Sequence, residues 1–160
     1  MDNAAVARVF VGIDRRLPGL AALRFAVDQA RRRDGALYAV RVARGISPGE
    51  VTLIDAAFAD VFGGVPADLV VHRELLIGPV AETLVRRARD PRDLLVVGTD
   101  GSGRRHGLGV HSISRDCARK AQCPVLIVPG PQPSAEVRRR RWLPYHREPL
   151  SGLRLEVPAA

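Results

Sequence analysis

The residues best suited by type and spacing to do chemistry lie in one stretch, Leu94 to Pro129, LLVVGTDGSGRRHGLGVHSISRDCARKAQCPVLIVP. An apolar run, Leu94 to Val97, meets a loop with glycines at 98, 101, 103, 107 and 109. A helical segment follows from about Ser112 to Ala121, with Ser112 at the N-cap and Ile113, Cys117 and Ala121 along one side. A glycine loop between a strand and a helix N-terminus turns backbone N–H groups and the helix dipole toward an anion such as phosphate. The chemistry this favours is binding. Ser112, Ser114 and Asp116 lie close in sequence to His106 and His111. Residues one or two apart on a helix point in different directions, so no nucleophile–base–orienter relay follows. HExxH, GxxxxGK[ST] and GxGxxG are all absent, and Cys117 and Cys123 have neither zinc nor CxxC spacing. The two cysteines read as small buried apolar residues. No metal site, no catalytic residue and no enzyme are expected, with slow hydrolysis of a bound nucleotide left open.

The elements that must position this loop alternate along the chain. Val6 to Ile13 is rich in β-branched and apolar residues and reads as a strand ending at Asp14. That carboxylate either meets a ligand or caps a turn. Pro18 and Gly19 open a helix to about Arg33, with Leu20, Leu23, Val27 and Ala30 on one face. Asp34-Gly35 is a turn and Ala36 to Val42 a second strand. Val51, Ile54, Phe58 and Val61 mark a helix that Gly63-Gly64 ends, and Asp68 to about Leu76 is a third strand. Gly78-Pro79 starts a helix with Val80, Leu84 and Ala88 as its stripe, ended by Pro91. Leu94 to Val97 and Val125 to Val128 complete the set. Strand–helix alternation of this kind predicts an α/β fold, an open five-stranded parallel sheet with helices on both faces. Ligands of such sheets bind beyond the carboxyl ends of the strands, where the winding reverses.

Two segments resemble the universal stress protein family. Its nucleotide-binding members carry G-x2-G-x9-G-[S/T] after the fourth strand, then a helix and a closing strand often written CPVLIV. Gly98 and Gly101 match the first two glycines, nine residues follow, His111 replaces the third glycine, and Ser112 keeps the hydroxyl. VGIDRRLPGLAALRFAVDQARR is similar to the opening V-G-x-D-G-S and its helix, with Arg15-Arg16 in place of G-S. The resemblance spans about Arg8 to Pro129 and implies strand order 3-2-1-4-5, a Rossmann-like fold. It implies an ATP site in which Ile13 and Asp14 stand at the adenosine end and Val42 packs on adenine. Val97 and Ile113 are then the apolar neighbours of Gly98, Gly101 and Ser112 at the phosphates. It also implies a homodimer through the edge strand Val125 to Val128. The arginines and His111 add bulk where the family keeps small residues, so impaired ATP binding is expected. The resemblance implies a stress-response binding or regulatory module. A competent ATP switch is one alternative.

Composition sets the remaining bounds. The chain has 160 residues, 46% of them hydrophobic, enough for one domain with a real core. No apolar run reaches the length of a membrane span and the N-terminus lacks signal-peptide features, so a cytoplasmic location is expected. Net charge is +8, and Lys120 is the only lysine. The charge is dispersed through the domain, where it reads as a solubility feature. The domain is placed at residues 1–130, followed by a proline-punctuated basic tail, 131–160, with Arg138 to Arg141 beside Trp142. The tail reads as a disordered appendage, as a strap anchored by Trp142 and its leucines, or as a nucleic-acid contact. The last is the second functional alternative, and nucleic acid is otherwise not an expected partner.

Overall fold

The computed structural model of the protein describes residues 6–99 and 112–131. Its elements run β1 (Arg8–Gly12), α1 (Leu17–Arg32), β2 (Ala36–Ala43), α2 (Pro48–Phe62), β3 (Val71–Ile77), α3 (Val80–Arg87), β4 (Leu94–Thr99), α4 (Ile113–Lys120) and β5 (Val125–Pro129). Every strand pair is parallel and the order is β3-β2-β1-β4-β5. The apolar runs account for this. Val9, Phe10 and Val11 of β1 and Leu95 and Val96 of β4 are wholly excluded from solvent, as strands covered on both faces must be.

Side chains alternate between two cores. Val9, Val11, Leu37, Leu94 and Val96 face α1 and α2, against Leu23, Val27, Ile54 and Phe58. Phe10, Val40, Val42, Leu95 and Val97 face α3 and α4, against Leu84, Ala88 and Cys117. The stripe expected on α1 is buried at Leu23, Val27 and Ala30, while Leu20 only packs at its margin. Gly19, Ala22 and Ala26 extend that face, because small residues let the helix lie close to the sheet.

Some boundaries differ from the sequence reading. α2 starts at Pro48, a first-turn proline, and Val51 is exposed, so the stripe there narrows to Ile54, Ala57 and Phe58. β3 begins at Val71, since Asp68 lies in a turn ahead of it, where its carboxylate meets Arg31 with N–O contacts of 2.8 and 2.9 Å. On α4, Cys117 is buried but Ile113 is 38% exposed. Both cysteines are free and buried. Burial and, secondarily, the Asp116 carboxylate push the Cys117 thiol up to about 11, and burial raises Cys123 as well. Among the described residues no helix is long and apolar enough to cross a membrane. The tail beyond residue 131 lies outside the described residues.

Candidate functional site

The crevice at the carboxyl ends of β1 and β4 is built by close approach of backbone. Gly98, near the end of β4, lies against the first turn of α1. A methyl group there would stand 2.3 Å from the Pro18 carbonyl oxygen and 2.9 Å from the Gly19 nitrogen. Gly19 in turn leaves room for Asp14, since a methyl at 19 would meet Asp14 Oδ1 at 2.3 Å. Asp14 and Gly98 are thus joined through Pro18 and Gly19. Adjacency of β1 and β4 explains it, with Val9 beside Leu94 and Val11 beside Val96.

Asp14 is engaged by its own chain. Its Oδ1 accepts the Arg16 backbone N–H at 2.9 Å, and its Oδ2 accepts Arg16 Nη2 at 3.0 Å and Nε at 3.2 Å. The turn-capping use of this carboxylate is therefore realised. It supplies what α1 otherwise lacks, because the N-cap residue Arg16 makes no side-chain cap and the first turn has no acidic residue. Arg15 turns aside to Asp60 on α2, 2.9 Å away.

Arg41 stands on β2 beside this group. Its guanidinium grips both oxygens of Glu50, at 2.5 and 3.1 Å, and reaches the Ile13 carbonyl at 3.4 Å. The bond to Arg41 lowers the Glu50 carboxyl below its usual range. The same bond, more than burial opposes it, raises Arg41, to which the Asp14 charge adds. Arg41 did not stand out in the sequence, and Gly19 did so only as the opening of a helix, not as room for Asp14. A charged residue inside an apolar strand and a glycine in a first helical turn were the available signals.

The other site residues fall on both sides of the sheet. Ile13 is buried in the α1/α2 core and its N–H donates to the Val40 carbonyl at 2.8 Å. Val42 and Val97 are buried in the α3/α4 core, 4% and 3% exposed. Ser112 occupies the N-cap position of α4, yet its hydroxyl does not cap. It lies 2.8 Å from the buried Ser114 hydroxyl instead, which corrects the capping role expected for it. Ile113 lines an open cavity of about 400 Å³ with Arg44, Gly78, Glu82, Asp116 and Lys120. Gly101 and His111 lie outside the described residues, so Gly98 and Ser112 are the motif positions that the fold can be seen to arrange. Among the described residues no group of three or more His, Cys, Asp and Glu is placed to hold a metal.

An open parallel sheet with helices on both faces and a crevice at its reversal point defines a Rossmann-like α/β protein. The family model described as the universal stress protein family matches residues 6–129, and the chain belongs to that family. Among solved structures, a universal stress protein in complex with cAMP is 22% identical with a TM-score of 0.63, over 76% of this chain and 95% of that one. The universal stress protein UspA from Lactobacillus plantarum is 24% identical with a TM-score of 0.54, over 79% and 99%. A universal stress family protein from Burkholderia pseudomallei is 26% identical with a TM-score of 0.53, over 78% and 96%. No curated protein matches the sequence significantly.

Proposed function

We infer that the protein is a non-catalytic binding and regulatory module of the stress response, working as a homodimer, in which adenine-nucleotide binding at the crevice is weakened. The ligand class is supported by family structures, one in complex with cAMP and one from Archaeoglobus fulgidus in complex with dAMP. The observation that carries the weakening is the hold of Arg16 on both oxygens of Asp14. A ribose hydroxyl seeking that carboxylate must displace a charge-assisted pair, and such pairs are the stronger hydrogen bonds. On the side where a methyl group at Gly98 would point, the first turn of α1 already occupies the space, at Pro18 and Gly19. His111, in place of the third motif glycine, adds a side chain where the family brings backbone to phosphate. If ATP binds, Asp14 would meet the ribose and Gly98 and Ser112 the phosphates, and the nucleotide would act as a regulatory ligand. The dimer is supported by β5, which ends the sheet with Ile127 41% exposed.

Calorimetry with ATP, and denaturation of purified protein to release any carried nucleotide, test this reading. The unmodified chain should bind ATP weakly. His111→Gly should raise affinity, and adding Arg15→Gly and Arg16→Ser should raise it further, by less than about tenfold because the Arg16–Asp14 pair is exposed and screened. Tight binding by the unmodified chain that His111→Gly weakens would make the histidine a ligand and overturn it.

A further inference from the structure

On the α3/α4 face of the sheet, β1, β2 and β3 carry a row of rings in register. Phe10 is the strand partner of Tyr38, and Tyr38 of His72. The Phe10 and Tyr38 centroids are 4.6 Å apart with planes inclined by 23°. Those of Tyr38 and His72 are 4.5 Å apart and inclined by 16°. The row grades from core to solvent, with Phe10 wholly buried, Tyr38 half-buried and His72 exposed. β3 is an edge strand, and no described ring continues the row beyond His72.

Cations surround this row. Arg87 lies 5.1 Å from the centroids of both Phe10 and Tyr38, and Arg8 lies 5.6 Å from Phe10. Both are neutralised and held in place, Arg87 by two bonds to Glu74 at 2.7 and 2.6 Å and Arg8 by two to Asp93 at 2.8 and 3.0 Å. Arg86 and Arg89, on either side of Arg87 in the chain, are exposed and their side chains pair with no described carboxylate. The end of α3 and the residue after its cap therefore carry uncompensated positive charge next in the chain to Arg87, which itself lies against a ring row whose next position is outside the protein.

We propose that this edge docks single-stranded nucleic acid, with a base stacked on the outward face of His72 and neighbouring phosphates on Arg86 and Arg89. Every base has a π-face, and in a single strand that face is free to extend an aromatic row. Phosphates complement the unpaired arginines on a chain of net charge +8. A β-strand of another protein added to β3 would also place a side chain beside His72. The excess charge on α3 favours the polyanion. The surface is separate from the β1/β4 crevice and does not depend on nucleotide binding there.

Fluorescence anisotropy of the full-length protein with a labelled single-stranded oligouridylate of about twelve nucleotides, long enough for one such site, is the test. His72→Ala should weaken binding about tenfold, the loss typical of one stacked base, while His72→Phe should retain it. Arg86→Ala with Arg89→Ala should lower the slope of log affinity against log salt by about 1.4, two single-strand phosphates. Arg24→Ala with Arg33→Ala, exposed arginines of α1 and its C-terminal cap on the opposite layer that pair with no described carboxylate, should change it far less. These positions are exposed, so melting temperatures should stay unchanged in all variants. Four outcomes would overturn the proposal. They are no binding at low salt, binding indifferent to His72→Ala, equal affinity for the duplex, or loss only when Arg138 to Arg141 are replaced by alanine. Equal His72-dependent binding of a polyglutamate peptide would reassign the edge to a protein strand.

Discussion

At the scale of single residues, burial decides reactivity more than residue type does. Cys117 is a thiol in a helix with Lys120 one turn away, yet exclusion from water raises it from an ordinary 9.0 to about 11. The thiolate is the nucleophile, so at pH 8 a shift of two units leaves about a hundredfold less of it than in an unfolded chain. Iodoacetamide should therefore leave Cys117 unmodified in the folded protein and label it in urea, with mass spectrometry as the readout. Rapid labelling under native conditions would show an opening of α4 that the packing against Leu84 and Phe10 does not suggest. Asp14 teaches the same lesson for charge. A carboxylate at the end of a central strand is available to a ligand only to the extent that its own chain leaves it free, and Arg16 does not.

At the scale of elements, the decisive contact is between β4 and the N-terminus of α1. Replacing Gly98 with alanine forces a methyl into backbone atoms, the Pro18 carbonyl and the Gly19 nitrogen, neither of which moves independently of α1. Overpacking of this kind costs about 3 kcal/mol, roughly 10 °C in Tm for a domain of this size. The loss should appear in thermal melts without any nucleotide present. An unchanged Tm would mean that α1 can slide away from the sheet and that Gly98 is kept for a ligand alone. The ion pairs matter less at this scale. Arg15–Asp60, Arg31–Asp68 and Arg73–Asp55 are all largely exposed, so solvent screening leaves each little to contribute.

At the scale of the molecule, the two sheet edges are unlike. β3 ends the sheet with the ring of His72 stacked on Tyr38, whereas β5 ends it with Leu126, Ile127 and Val128 between Pro124 and Pro129. An apolar edge strand invites pairing with its like, and the prolines leave its middle residues free to donate. The dimer proposed through β5 should sediment at twice the 17.3 kDa chain mass at micromolar concentration. Ile127→Lys places a charge at the 41% exposed edge position and should shift the protein to monomer with little change in Tm. A monomer in the unsubstituted protein would sink the idea.

The set of elements is legible from the sequence alone. The runs Val6–Ile13, Leu94–Val97 and Val125–Val128 and the stripes through Leu23, Phe58 and Leu84 reveal strands and helices because the period of burial is written locally. The G-x2-G-x9 spacing with Ser112 identified the family, and through it the strand order. Boundaries slipped where a turn intervened, as at Asp68, which lies in a turn ahead of β3. The surroundings of each candidate residue come instead from tertiary packing. It packed Gly98 on Pro18, seated Arg16 on Asp14, and put Ile13 and Val42 in different cores. It also aligned Phe10, Tyr38 and His72, which are far apart in the chain and share no motif. The physical reason is that periodicity tells which way a side chain faces. What it faces depends on the register and crossing of strands, and these are settled by the whole packed sheet.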